Sequence, residues 1–404
     1  MTAVSEQTKA FSEQMAAWLA EFTRQPKAEP WLQQLRDAGF QRFAELGFPT
    51  THDEEWRFTN VAPIARAAFR VIRSSRVLGL PAGVKEISPK DALASGAAFD
   101  RNSGQIPAQN AFSALNTAFL DEIAVLEVPA GAVIEKPIEI TYDIPESPDA
   151  VAVHPRTLVL VGANAQCTIV ETFKGAGTYF TNAVTEIVVR QSAVVDHYKV
   201  QQESRRAYHV ATMQVTLGRS ANFSSHSISL GGALVRNDAN AVLSEGTAAT
   251  LNGLYLVNGT QHIDNHTVID HAKPHGTSHE LYKGVLDGKA VAVFNGRIIV
   301  RKDAQKTDSK QTNKNLVLSD DAMINTKPEL QILADDVRCT HGATIGQLDT
   351  EAAFYLQSRG IGRQEARSML TYAFAQDILD RIKVPALKES LEKTLFEKFH
   401  EYAQ

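Results

Sequence analysis

The sequence has little cysteine, few aromatic residues and no strong excess of charge of either sign. Only two of its 404 residues are cysteine, Cys167 and Cys339, so a disulfide framework is not expected and a four-cysteine metal centre cannot be built from this chain alone. Aromatic residues make up 7% of the chain, and the formal net charge is −5 without any basic block. Binding to nucleic acid or to an anionic membrane is therefore not expected.

Long hydrophobic runs and targeting signals are also lacking. The first residues, MTAVSEQTKAFSEQMAAWLAEF, are amphipathic and partly acidic, unlike a signal peptide, and no apolar run approaches the length of a membrane span. We therefore expect a cytoplasmic protein. Gly-x-Ser-x-Gly and Cys-x-x-Cys motifs do not occur, and GVLDGKA, at 284–290, lacks the spacing and the hydroxyl residue of a phosphate-binding loop.

Helical patterns occupy both ends of the chain. Apolar residues recur at helical spacing between 4 and 47, where prolines divide them into two short helices, and NAFSALNTAFL, at 110–120, predicts one more. After residue 349 the sequence predicts three further helices. The last of these has a single apolar stripe, which favours packing on its own domain over packing on a partner.

Between residues 122 and 348 the pattern is that of β-strands. Short β-branched runs such as TLVLVG and AVTEIVVR alternate with small or polar turns. Four turns recur every 26–29 residues, a loose repeat that suits a β-solenoid. They begin at Gly162, Gln191, Arg219 and Glu245. Asn-Gly and Asp-Gly pairs between 252 and 296 are typical of hairpins and leave a β-sandwich as the alternative, but the repeat favours the solenoid.

A histidine-rich run is the first candidate metal site. It holds five of the twelve histidines: His262, His266, His271, His275 and His279. The β-branched residues, proline and glycine around them predict strand and turn, and residues four apart in a strand are about 13 Å apart, too far to share one metal ion. Solvated or hydrogen-bonded surface histidines are the favoured interpretation, with a metal site and a polar interface as alternatives.

The segment ADDVRCTHGAT, at 334–344, holds the second candidate. In an extended chain Cys339 and His341 point to the same face, with Cβ atoms roughly 6 to 7 Å apart. Thiolate and neutral imidazole suit iron–sulfur chemistry or zinc. A site shared by the two residues must be completed by another chain. Cys167 lies in an apolar strand and is interpreted as a buried hydrophobic residue.

Two long segments match a known family pattern. They are NLVLSDDAMINTKPELQILADDVRCTHGATIGQLDTEAAFYLQSRGI, at 315–361, and LYKGVLDGKAVAVFNGRIIVRKDAQKTDSKQ, at 281–311. EEWRFTN, at 54–60, and FSALNTAF, at 112–119, match it more weakly. Through these segments the chain resembles the SufB/SufD family of iron–sulfur cluster assembly proteins, and CTHGATIGQLD has the form of the SufD branch.

The resemblance implies a mainly β fold whose core is a right-handed parallel β-helix (solenoid) at 122–348. An N-terminal helical region at 1–62, a mixed connecting region at 63–121 and a C-terminal α-helical domain at 349–404 flank it. It further implies a non-catalytic scaffold subunit that pairs with SufB through the β-helices. The ATPase SufC would dock on the C-terminal helices, and this chain itself would bind no nucleotide.

The resemblance also implies where the chemistry takes place. The resemblance implies that His341 is the residue of this chain that ligates or handles iron and that Cys339 is its neighbour in the site. Both would act on iron or on a transient iron–sulfur cluster at the SufB interface. It assigns no role to the other histidines. Three alternatives stay open: a homodimer when SufB is absent, a β-solenoid enzyme acting on carbohydrate, and a self-contained metal-binding protein that uses the histidine run.

Overall fold

The computed structural model describes residues 16–94, 110–121 and 123–402. These residues form a mainly β structure in which the chain winds into a parallel β-helix of about seven coils. Successive strands alternate between two long sheets, so each coil adds one strand to each sheet. The solenoid predicted from the repeat is confirmed, and the β-sandwich alternative is wrong. No helix in the described ranges is long and apolar enough to cross a membrane.

The first sheet consists of β1 (Arg70–Val71), β3 (Lys85–Glu86), β4 (Ile123–Val128), β6 (Val151–Val153), β7 (Arg156–Val161), β9 (Tyr179–Val189), β11 (Tyr208–Leu217), β13 (Leu234–Leu243), β15 (His262–His271), β17 (Val291–Val300) and β19 (Met323–Ile332). The second consists of β2 (Arg76–Gly79), β5 (Ile138–Ile144), β8 (Gln166–Gly175), β10 (Val194–Gln202), β12 (Asn222–Ser229), β14 (Ala248–Val257), β16 (Thr277–Leu286), β18 (Asp308–Val317) and β20 (Arg338–Gly346). All strand pairs are parallel except β2 with β5 and β3 with β4, at the N-terminal end.

The helices are α1 (residues 16–24), α2 (Pro30–Leu46), α3 (Ala62–Arg66), α4 (Pro89–Ala94), α5 (Ala111–Ala118), α6 (Thr350–Ser358), α7 (Arg363–Leu379) and α8 (Pro385–Tyr402). The helix predicted at 110–120 and the three predicted after residue 349 are confirmed. Of the two N-terminal helices, the first falls partly on residues outside the described ranges. The Asp349 side chain caps α6 by accepting hydrogen bonds from the backbone N–H groups of Glu351 and Ala352.

Stacked corners explain the repeat. One residue in each coil adopts the left-handed conformation, with φ between +55° and +66°, and donates its backbone N–H to a carbonyl of the next coil. These residues are Asn164, Ser192, Ser220, Gly246, His275 and Lys306. The first four fall in the turns that the sequence pattern singles out. Small and polar residues recur there because the corner must be tight and its backbone must bond to the coil above it.

Two of the Asn-Gly pairs that suggested hairpins lie inside strands. Gly253 is in the middle of β14 and Gly296 in the middle of β17. A Cβ atom on Gly253 would lie 2.2 Å from the ring of Tyr282, which belongs to the neighbouring strand. The glycine is therefore required by close approach between coils and not by a turn.

The helices cover the two outer faces of the β-helix. The N-terminal helices pack on the first sheet through an aromatic cluster that includes Trp18, Phe112 and Phe180. α7 and α8 pack on the second sheet, where Leu395 and Phe399 of the α8 stripe are buried. The prediction that this stripe packs on the chain itself is confirmed.

Candidate functional site

The β-helix ends in a coil that no described residue covers, and both predicted site residues lie on it. Among the described strands, β20 pairs with β18 alone. Its register places Cys339 beside Ser309 and His341 beside Gln311. Ser309 and Gln311 are buried and face the interior, and parallel register gives Cys339 and His341 the same inward face. The expected strand geometry is present, while the role of the two residues as ligands stays a prediction.

Cys339 is half-buried against an apolar cluster that includes Ile298 and Val300. Burial raises the pKa of its thiol, the carboxylate of Asp308 raises it further, and a backbone hydrogen bond with Ser309 opposes both. Because metal ligands are thiolates, the raised pKa disfavours metal binding by Cys339 in the chain alone. A metal ion or a cationic neighbour would have to displace the proton.

His341 is exposed at the same open end. A neutral imidazole is a good ligand for iron or zinc. Within the described ranges no group of three or more His, Cys, Asp or Glu side chains is arranged to hold a metal ion. Cys339 and His341 are therefore not part of a complete metal site within the described residues, and their role as ligands stays a prediction.

Two buried polar residues that the sequence analysis missed lie behind His341. Glu280 of β16 neighbours Gln311 of β18, and Gln311 Nε2 donates a 2.6 Å hydrogen bond to Glu280 Oε2. Burial raises the pKa of Glu280 to about 7, against the opposing effect of the neighbouring Thr267 hydroxyl and of the hydrogen bond from Gln311. The available sequence signal was spacing, because positions 280, 311 and 341 are each one coil apart.

A charged cluster fills the interior nearer the middle of the β-helix. Lys199 Nζ lies 2.9 Å from His209 Nε2 and 2.6 Å from Asn237 Oδ1, and Glu203 Oε2 lies 2.7 Å from His209 Nδ1. Burial lowers the pKa of Lys199 to about 8, although the carboxylates of Glu171 and Glu203 favour its charged form. The adjoining cavity of about 30 Å³ has room for water but not for a substrate.

The histidine run forms strand and turn, as predicted, but the interpretation of its members as surface histidines is wrong for two of them, His266 and His271. His266 and His271 are buried, and His262 is half-buried. His275 and His279 are exposed. The run lies partly on β15 and partly on β16, and the described residues contain no arrangement of its side chains that could hold a metal ion.

The N-terminal strap, defined as residues 54–59, covers the outer face of β15. Arg236 on β13 donates a 2.7 Å hydrogen bond to the Glu55 carbonyl oxygen. The adjacent strap residue, Glu54, pairs with Lys327 on β19 at 2.9 Å. The strap, which contains most of the EEWRFTN motif, therefore ties the body of the β-helix to its last coil.

His266 is the buried titratable group beneath this strap. Its Nδ1 lies 3.3 Å from Glu55 Oε2, and its Nε2 lies 3.0 Å from Asp264 Oδ1. Although burial favours the neutral ring, the carboxylates of Asp264 and Glu55 outweigh it and raise the pKa of His266. The hydrogen bond with His266 lowers the pKa of Glu55 to about 2, helped by Arg297 and opposed by burial. Glu55, His266 and Arg297 line a cleft of about 550 Å³, where their mutual pairing holds the strap in place.

The C-terminal helices present a separate apolar surface. No residue of α6 is buried, and its Phe354 and Tyr355 side chains are 72% and 57% exposed. Met369 on α7 is exposed as well. α6 therefore leaves two consecutive aromatic side chains exposed to solvent.

Comparison with known proteins connects these features to a family. The model of the family described as "SUF system FeS cluster assembly, SufBD core domain" matches residues 144–374. An iron-sulfur cluster assembly SufBD family protein of Synechocystis sp. is 39% identical over a gapped alignment of 293 positions that covers 70% of this chain and 65% of that protein. Escherichia coli iron-sulfur cluster assembly protein SufD is 30% identical over a gapped alignment of 406 positions that covers 91% of each chain. Arabidopsis thaliana protein ABCI7, chloroplastic, is 30% identical over 94% of this chain and 90% of its own.

Proposed function

Because the chain belongs to the SufBD family of iron–sulfur cluster assembly proteins, we propose that it is a non-catalytic scaffold subunit of an assembly complex. It pairs with SufB through the β-helices and docks the ATPase SufC, and it binds no nucleotide itself. The nascent iron–sulfur cluster is cargo, held at the interface with SufB and passed on.

The observation that carries this proposal is the open coil at the C-terminal end of the β-helix. β19 and β20 are edge strands within the described part of the chain, and an edge strand is a ready template for pairing with another chain. Pairing with SufB along this edge brings His341 and Cys339 beside ligands of the partner. His341 is then the main ligand for iron or for the cluster, and Cys339 contributes more weakly because its thiol resists ionisation.

SufC docks on the C-terminal segment at 349–382. Support comes from the exposed aromatic side chains of α6, while the buried residues of α7 and α8 fasten this segment to the second sheet. Movement of SufC during ATP hydrolysis can therefore be transmitted to the β-helix and to its open end. Without SufB, the same edge strands allow two copies of this chain to pair.

A proline at Ala343 tests the pairing. The backbone N–H of Arg338 bonds to Thr307 on the β18 side, and bonding direction alternates along a strand, so the N–H of Ala343 points to the free edge. Ala343→Pro removes that donor without removing a bond to β18. We expect the variant to fold but to lose co-purification with SufB and the iron and sulfide recovered with the complex.

Ala343→Val is the matched control, because it adds bulk at the same position and keeps the edge N–H. It is expected to pair normally. Wild-type recovery of SufB by a folded Ala343→Pro variant would contradict pairing through this edge.

A further inference from the structure

Glu280, Gln311 and His341 occupy successive inward positions of three neighbouring strands. The register of β16, β18 and β20 pairs Glu280 with Gln311 and Gln311 with His341. Lys310, the residue before Gln311, is exposed, whereas Gln311 is 1% exposed, which fixes the direction of the Gln311 side chain toward the interior. Neighbouring parallel strands are about 4.8 Å apart, so the three side chains form one file that ends at the open coil.

One side of the Gln311 amide is fixed. Its Nε2 donates to Glu280 Oε2 at 2.6 Å. Gly296 on the opposite sheet makes room for the amide, because a Cβ atom there would lie 2.2 Å from Gln311 Nε2. The position of the Gln311 amide therefore depends on the Glu280 carboxylate and on the absence of a side chain at Gly296.

The other side of the amide is an unused acceptor. Gln311 Oε1 is buried and has no hydrogen-bond partner among the described residues. An unsatisfied buried acceptor costs free energy of folding unless a donor reaches it. In the file, the next group toward the open end is the His341 imidazole, which carries one N–H donor when it is neutral.

We infer that Gln311 is a positioning residue for His341: when the imidazole turns inward, Gln311 Oε1 accepts its ring N–H, so that the second ring nitrogen faces the open end with its lone pair free. Histidines that bind metals usually donate their other N–H in this way, which fixes the tautomer and the ring orientation. Glu280 acts one step further back by holding the Gln311 amide. This inference rests on the proposed function only in assigning the exposed nitrogen to iron or to a cluster.

The tautomer of His341 tests the inference directly in the isolated full-length chain. Histidines labelled with ¹⁵N are observed by NMR about two pH units above the ordinary histidine pKa of about 6.5, and His341 is assigned by the signals missing from His341→Ala. We expect the wild type to show one protonated and one unprotonated ring nitrogen, the signature of a single tautomer. In Gln311→Leu, which has no acceptor, both signals should move toward averaged values.

Gly296→Ala is a second, independent variant, because its added methyl group displaces the amide and should also mix the tautomers. The exposed His279 on the outer face of β16 is the internal control, and its signals should not change. A mixed tautomer in the wild type would overturn the inference, as would wild-type His341 signals in folded Gln311→Leu or Gly296→Ala.

Cluster content separates this inference from the proposed function. If His341→Ala abolishes cluster recovery from the complex while Gln311→Leu leaves the tautomer unchanged, the positioning role fails and the proposed function stands. If Gln311→Leu mixes the tautomers while His341→Ala keeps the cluster, the positioning role stands and the proposed function fails.

Discussion

Cys167 and Cys339 occupy the same inward-facing column of the second sheet, with five residues of intervening strands between them. At about 4.8 Å per strand they are roughly 29 Å apart, too far for a disulfide or for one shared cluster. Later coils cover Cys167, whereas none covers Cys339 among the described residues. The same position of the coil is therefore buried at Cys167 and half-buried at Cys339. Burial raises the pKa of Cys167 to about 12, with a smaller effect of Asp196.

Cys167→Ser is expected to lower the free energy of unfolding by roughly 1 to 3 kcal/mol, because it places a hydroxyl in the apolar interior. Urea unfolding of the isolated chain measures the change. Cys339→Ser, at the open end of the same column, is the matched control and should have a smaller effect. A cluster-assembly defect in fully folded Cys167→Ser complexes would show that the two thiols have been assigned the wrong way round.

Lys199→Met is expected to destabilise the chain by about 3 to 5 kcal/mol, because it leaves the buried carboxylates of Glu171 and Glu203 without their cation. Lys174→Met is the control, since Lys174 pairs with Asp143 at the surface, where both side chains are about half exposed and such a pair contributes about 0 to 1 kcal/mol. Urea unfolding of both variants tests this. If Lys199→Met and Lys174→Met lowered the free energy of unfolding by equally small amounts, a charged Lys199 in the interior would be contradicted.

The strap should stabilise the fold in a pH-dependent way. The folded-state pKa of His266 is raised, so its contribution is complete below the unfolded value of about 6.5 and is lost as pH rises through the folded value. Glu55, with its pKa lowered to about 2, keeps its contribution above its unfolded value and loses it only in acid. His266→Gln should therefore destabilise the chain most near pH 6 and less above neutral pH.

Urea unfolding at several pH values checks this prediction, with the exposed His279→Gln as the control. A difference between wild type and His266→Gln that stays constant from about pH 6 to about pH 9 would contradict the charged pairing of His266 with Glu55 and Asp264.

Phe354→Glu on α6 is expected to abolish SufC binding without loss of stability, because the side chain is 72% exposed. Val77→Glu on β2, at the other end of the β-helix, is the control and should bind SufC normally. Deleting 349–404 is a poorer test, since α7 and α8 cover apolar residues of the second sheet such as Tyr198 and Leu254. Normal SufC binding by Phe354→Glu would place the docking surface elsewhere.

The β-helix was predictable because each coil has its own turn residues, which recur at a regular spacing in the sequence. Each coil needs one tight left-handed corner, and Asn164, Ser192 and Ser220 are residues that tolerate it better than β-branched ones. The role of Gly253 was not predictable in the same way, because the ring that excludes a side chain there belongs to Tyr282, one coil further along the chain.

The site was predictable only in part for a similar reason. Alternation along one strand is sufficient to place Cys339 and His341 on the same face. The burial of His266 depends on Glu55, more than 200 residues away in the sequence. The contact between Glu280 and Gln311 likewise depends on the register between coils, which no local pattern fixes.

The most direct test of the open coil as the assembly site compares His341→Ala with His279→Ala in complexes co-expressed with SufB and SufC and purified without oxygen. Both histidines are exposed, but His279 lies on the outer face of β16 and His341 on the inward face at the open end. We expect both variants to fold and to retain their partners. Iron analysis, acid-labile sulfide and visible absorption should then show a sharp loss of cluster in His341→Ala alone, with a smaller loss in Cys339→Ala. Wild-type cluster content in His341→Ala would contradict the assignment of the open coil as the assembly site.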